Sequence, residues 1–157
     1  MAYLFKKFRK PKTLLEVIQG KRKHHPPSEY KRAHALLVTV FSWYIRTRET
    51  HRSGKCFICG TGPIQDCYHF IPCGNGSIRF EPDNACGGCK KCNYSEFMNR
   101  GTANCDDRVR AEHVRMVGEE RVQQLEAMRH APFKKSAAEL RDLVAHFKEL
   151  LARGDWK

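Results

Sequence analysis

Residues 56–93 read CFICGTGPIQDCYHFIPCGNGSIRFEPDNACGGCKKCN, and this stretch decides what kind of fold the chain can adopt. Cys56 and Cys59 have two residues between them, as do Cys89 and Cys92, and 29 residues separate the pairs. Each pair closes a short turn, Phe57-Ile58 before Gly60 and Lys90-Lys91 before Asn93, able to aim two sulfurs and several backbone amides at one tetrahedral ion. The spacing predicts a four-thiolate zinc site. The competing reading, two redox dithiols, wants a βαβ context that the surrounding sequence lacks. Zinc binding of this kind supplies on the order of 10 kcal/mol to folding, which compensates for the sparse apolar content of residues 50–105. Helical periodicity disappears between Glu49 and about Cys105, where eight of the chain's eleven glycines fall. Short strands and turns organised by an ion are expected there. A site closed by four sulfurs leaves no position for water or substrate, so any chemistry must lie beside it.

Helices are expected on both sides. Thr13 and Glu16 have capping-box spacing ahead of Gly20, marking a short helix between Lys12 and Gly20. Ser28 can cap a second helix running to about Arg48, whose centre, ALLVTVFSWYI, is apolar around most of its circumference. Phe41, Trp43 and Tyr44 therefore read as core. Asp106 or Asp107 can start a helix that bends near Gly118, resumes through Val122, Leu125 and Met128, and breaks at His130-Ala131-Pro132. Ser136 and Glu139 form another capping box, after which Leu140, Leu143, Val144, Phe147, Leu150 and Leu151 line one face as far as Gly154. That stripe is expected to pack on the buried helix rather than serve as a dimer seam. The fold class is thus α+β, mainly helical around a zinc-stapled centre. One domain over residues 33–157 follows an N-terminal arm, 1–32, and divides into the buried helix (33–48), the zinc region (49–105) and the C-terminal helices (106–157).

Composition narrows the function classes. The 157 residues are 41% hydrophobic and 29% charged, a balance suited to one globular domain and large enough to be stable without disulfides. No apolar run approaches the ~18 residues of a membrane span, and the start MAYLFKKFRKPK lacks the pattern of a signal peptide. A cytoplasmic protein in a reducing compartment is expected, which favours metal ligation over disulfides. The net charge is +12, and residues 1–32 carry ten bases against two acids. Lys6, Lys7, Arg9, Lys10, Lys21, Arg22 and Lys23 are candidates for contact with nucleic-acid phosphates, the alternative being a solvated tail without a specific partner.

Between the cysteine pairs lie His69, in YHFIP, and Asn84, in EPDNACGG, while Asn93 follows the last cysteine directly. A histidine, an asparagine and then a zinc knuckle ending in a polar residue is the order of the HNH nucleases. The segments FSWYIRTRE (41–49), CFIC (56–59), YHFIPCGNGSIRFEPDNACGGCKKCN (68–93) and VGEERVQQLE (117–126) resemble, in the same order, the phage NinG family of recombination endonucleases, also called Rap. CKKCN is also similar to the corresponding run of phage endonuclease VII. The resemblance implies a ββα-metal fold and a metal-dependent, structure-specific endonuclease that hydrolyses phosphodiester bonds in branched DNA, at junctions or flaps. It makes His69 the general base and the carbonyl oxygen of Asn93 a ligand of catalytic Mg²⁺ or Mn²⁺, with Asn84 fixing the loop across the hairpin. Arg79 matches a basic position of the family and, with Arg46 and Arg48 of YIRTR, is implied to face the substrate; capping of the helix C-terminus is the alternative for the latter two. A homodimer is implied too, since a four-way junction offers two symmetric strands.

The sequence departs from the wider HNH pattern at Tyr68, where Asp or His often supplies the second metal ligand. Asp66 and Asp83 are the candidate substitutes. Cys67, Cys73, Cys86 and Cys105 each read as small buried hydrophobes. Alternatively, Cys67, His69, Cys73 and Cys86 form a second zinc site, which would make the chain a non-enzymatic nucleic-acid-binding module.

Overall fold

The longest helix, α1 (Glu29–Arg52), starts where Ser28 accepts a hydrogen bond from the Lys31 amide at 3.3 Å. It continues one turn past Arg48. The first residue able to terminate it is Gly54, which sits at φ 66° and donates its amide to Glu49 O at 3.1 Å. The computed structural model to which α1 belongs describes residues 26–72, 77–98 and 103–156, and only the backbone of 95–98 and 103–108. The expected Lys12–Gly20 helix, the basic residues Lys6, Lys7, Arg9, Lys10, Lys12, Lys21, Arg22 and Lys23, and Cys73 lie outside the described residues, as does the side chain of Cys105.

One side of α1 packs on α5 (Ala137–Arg153), burying Leu37, Val40, Phe41 and Tyr44 against Leu140, Val144 and Phe147. The Phe147 ring lies 5.1 Å from Phe41 and 5.3 Å from Tyr44. Ser136 and Glu139 cap α5 reciprocally, and Gly154 ends it at φ 66°. The α5 stripe therefore packs where its periodicity placed it.

The expectation that Trp43 is core is corrected, because it is 57% exposed, whereas Phe41 and Tyr44 are buried as expected. Leu36 is exposed as well. Helix α5 covers one side of α1 and a hairpin a second, and among the described residues nothing covers the third.

That hairpin is the protein's small sheet. Strands β1 (Asp66–His69) and β2 (Ala85–Gly88) pair antiparallel, with Asp66 opposite Gly88, Cys67 opposite Gly87, Tyr68 opposite Cys86 and His69 opposite Ala85. Alternation sends Cys67, His69 and Ala85 toward α1, where they meet its core. Tyr68 and Cys86 face the other way and pack with Val109. At Gly87 the strand backbone runs so close to α1 that a Cβ would stand 2.8 Å from Ile64 Cγ2 and 2.9 Å from Glu49 Cβ.

Two 3₁₀ turns, Ser77–Phe80 and Pro82–Asn84, lead into β2, and α2 (Lys90–Met98) follows it. Helices α3 (Ala103–Val117) and α4 (Glu119–Ala127) are separated at Gly118, φ 89°, the bend expected there. Arg110 ties α3 to α4 through Glu119 at 2.7 Å and Glu126 at 2.9 Å. The architecture is α+β, mainly helical, with one two-stranded sheet among the described residues. None of the described helices is long and apolar enough to cross a membrane.

Candidate metal centre and hairpin site

The two cysteine pairs converge at one end of the hairpin. Cys56 donates its amide to Gly62 O and accepts from Gly60, both at 2.8 Å, making a tight turn that Gly60 permits at φ 68°. The second pair follows β2 directly, where the Lys90 amide donates to Gln65 Oε1 at 3.1 Å and opens α2. The Sγ atoms of Cys56, Cys59, Cys89 and Cys92 all lie within 4.8 Å of one another. A zinc tetrahedron with 2.3 Å Zn–S bonds has edges of about 3.8 Å, so the donor set fits. Backbone amides already point at the sulfurs, Gly62 N to Cys59 at 3.3 Å and Cys92 N to Cys89 at 3.4 Å. The Thr61 hydroxyl, with the amides of Thr61 and Gly62, pulls the Cys59 thiol down to about 5. Burial, with hydrogen bonding among the cysteines, pushes Cys92 up. The four cysteines can hold a metal such as zinc.

A second cysteine site does not assemble among the described residues. Cys86 is buried opposite Tyr68, on the face of the hairpin away from Cys67 and His69. Burial raises its thiol well above the ordinary range, as suits a small core residue. The period of two in a strand separates these groups however near they lie in sequence.

His69 stands at the end of β1 with its ring stacked on Phe41, 6.1 Å between centroids. Its Nε2 lies 2.9 Å from Arg79 O. A carbonyl oxygen only accepts, so this contact assigns the proton to Nε2 and the lone pair to Nδ1. The Arg79 side chain shares with His69 a cavity of about 250 Å³, which Val38, Phe41, Ser42, Cys67 and Phe80 complete. Its guanidinium lies 5.9 Å from the centroid of Phe80.

Asn84 is fully buried and bridges the loop between the strands. Its Oδ1 accepts from Ile71 N at 2.9 Å, and its Nδ2 donates to Ile71 O and Ile78 O, both at 3.2 Å. Asn93 Nδ2 donates to Asp66 Oδ2 at 3.2 Å, and the two line a separate cavity of about 370 Å³ with Lys90 and Tyr94. With its amide nitrogen toward Asp66, Asn93 keeps its side-chain oxygen as a donor atom for a cation. His69 and Asp66 are thus both carried by β1, about 10 Å apart along it, with Asn93 brought to Asp66 by α2, and the two sites open into different cavities.

Two sequence candidates are placed elsewhere. Asp83 accepts from Arg121 Nε at 2.7 Å, in a bridge that also joins Arg121 to Glu81 at 2.7 Å, and lines neither cavity. Arg48 is 2% exposed. Its guanidinium donates to Glu49 at 2.7 Å, Ala85 O at 2.8 Å and Pro82 O at 3.3 Å, tying α1 to β2 instead of facing a cleft. Arg46 remains at the surface of α1, where it bonds Ser42 O at 3.2 Å. Sequence reasoning passed over Lys90, although it lies one helical turn before Asn93. It also passed over His113, buried against Phe70 and bonded to Asp83 O at 2.6 Å, because a lone histidine in a helix carries no motif.

No curated protein and no solved structure matches the chain. The family model described as Bacteriophage Lambda NinG protein matches residues 8–155, beyond both ends of the four motifs. The chain belongs to the NinG family.

Proposed function

We propose that this NinG-family chain is a metal-dependent, structure-specific DNA endonuclease of the HNH, or ββα-metal, type that acts on branched DNA. The observation that carries the reading is the cavity in which His69, its tautomer set by the Arg79 carbonyl, meets the Arg79 side chain. His69 Nδ1 would take the proton of the attacking water, a contribution typically worth about 10²–10⁴-fold in rate. The Nε2–H bond to Arg79 O holds the ring in place and favours the imidazolium that follows proton transfer. The Arg79 guanidinium would hold the phosphate beside it, as a planar donor fork does.

Asp66 and Asn93 offer two oxygen donors for Mg²⁺ or Mn²⁺, hard ions that keep several waters of their own. An ion bound there would act as a Lewis acid on a phosphate that enters that cavity. Zinc on the four cysteines would be structural, fixing the outer end of the hairpin and the start of α2. The basic arm adds affinity through phosphate contacts, which carry little sequence information. A homodimer would present two such sites to a four-way junction, and the setting is the cytoplasm of a bacterial host.

The separation of the two cavities favours a second reading, a non-enzymatic zinc-containing module that binds nucleic acid. Nicking of labelled four-way junction and matched linear duplex in Mg²⁺ or Mn²⁺, by zinc-loaded wild type and His69→Ala, decides between them. Metal-dependent cutting that prefers the junction and is lost in the variant supports the endonuclease. Binding without cutting by both proteins supports the module.

A further inference from the structure

The solvent side of α1 carries a stripe that neither the core nor the metal centre uses. Arg32, Leu36, Thr39, Trp43, Arg46 and Thr50 follow one another at alternating intervals of four and three residues and share one face. Trp43 is 57% exposed and Leu36 is 44% exposed; two turns of helix set them about 10 Å apart. A large aromatic this exposed, on a helix otherwise well packed, calls for a partner that a scattered surface leucine does not.

The charge on the stripe is of one sign. The two acids of α1 are both taken, Glu29 by Arg141 at the surface and Glu49 by Arg48 in the core. The stripe itself holds two arginines and no carboxylate. It also adjoins the His69 cavity, because Ser42 lines that cavity and directly precedes Trp43. Arg46 reaches back to Ser42 O at 3.2 Å and across to Gln65 O at 3.5 Å, so its guanidinium lies between the stripe and the hairpin.

We infer that this face binds DNA carrying unpaired bases, with Trp43 as the platform on which one base stacks and Arg32 and Arg46 as contacts to flanking phosphates. Charge selects the occupant. A second copy seated on this face would set its arginines against those of its partner. An apolar protein surface would suit Leu36 and Trp43 but would leave the arginines without a counterpart. A strand of DNA satisfies both, since every base has a face to stack and every linkage a charge. In a fully paired duplex the bases are already stacked on one another, so the face discriminates for unpaired nucleotides such as those at a flap or an opened branch point. The inference rests on the reading of the chain as a DNA-acting protein and names the substrate feature that it would recognise beside the cavity.

The test uses the full-length, zinc-loaded protein without Mg²⁺ or Mn²⁺, so that binding alone is read. Fluorescence anisotropy compares a fork bearing an oligothymidine arm with a fully paired duplex, for wild type, Trp43→Ala and Trp43→Phe, after equal melting temperatures are verified. Trp43→Ala is expected to weaken fork binding about 5- to 150-fold, the loss of one stacked base. Trp43→Phe recovers most of it, and duplex affinity stays the same. In a Trp156→Phe background, acrylamide quenches Trp43 in the free protein and the fork shields it. Equal fork affinity in Trp43→Ala overturns the inference. So does an indole already shielded in the free protein, or a wild-type dimer that Trp43→Ala turns into monomers, since the face then belongs to the chain itself or to a second copy. Cutting that ignores Trp43 removes this inference and leaves the endonuclease standing, whereas Trp43-dependent binding without cutting does the reverse.

Discussion

Replacing Arg48 by alanine separates a structural arginine from one that contacts substrate. Its side chain is 3% exposed and joins three elements, through Glu49 at 2.7 Å in α1, Pro82 O at 3.3 Å in a 3₁₀ turn and Ala85 O at 2.8 Å in β2. The truncation leaves the Glu49 carboxylate, 9% exposed, with Arg52 at 3.4 Å on the same oxygen, and deprives two carbonyls of a donor. Breaking a buried pair from one side typically costs about 3–5 kcal/mol. For a domain of this length that corresponds to a fall of about 6–20 °C in melting temperature. Urea and thermal unfolding at fixed free zinc measure it, with an unchanged m value showing that the unfolded state is the same. The double variant Arg48→Met, Glu49→Leu removes both charges and should regain most of the loss, because an apolar pair of similar volume avoids the uncompensated carboxylate. A loss below about 1 kcal/mol, together with weakened DNA binding, would refute the assignment and return Arg48 to the substrate-facing role that the YIRTR segment first implied.

Three further outcomes are expected. Gly87→Ala should cost about 1–3 kcal/mol in urea unfolding, because its Cβ meets Ile64 Cγ2 and Glu49 Cβ, atoms next to the backbone, inside 3.0 Å; an unchanged midpoint would contradict the close packing of β2 on α1. Cys89→Ser should abolish stoichiometric zinc in metal analysis and unfold the hairpin region while α1 and α5 keep their helical circular dichroism, whereas full zinc retention would refute the four-cysteine centre. Burial lowers the pKa of His113 below 6.5, and burial followed by the Arg79 charge lowers that of His34. The unfolded chain therefore takes up these protons first as pH falls, and this stability is full above pH 6.5 and declines below it. His113→Gln should lose less stability than wild type between pH 7.5 and 5.5, and an equal loss would contradict a buried neutral ring.

Much of this was legible locally. Ser136 with Glu139, the Gly118 bend and the two CxxC turns are encoded within a few residues, and each appears where its local chemistry put it. What the sequence hid depends on partners far along the chain. Asp83 pairs with Arg121, 38 residues on, and Arg48 with a carbonyl 37 residues on. The exposure of Trp43 depends on how many elements cover α1, which an apolar run does not state. The split between His69 and Asp66 was readable in principle, since residues an odd number apart on a strand face opposite ways. Motif order alone, which treats them as one site, does not carry that information.

The central claim, that His69 moves a proton for phosphodiester hydrolysis, is tested most directly by single-turnover nicking of one labelled four-way junction with Mg²⁺. Rate constant and dissociation constant are measured side by side for wild type and His69→Ala. The rate is expected to fall about 10²–10⁴-fold with affinity unchanged. An equal rate in the two proteins, or no metal-dependent cutting by wild type that binds the junction, would contradict it.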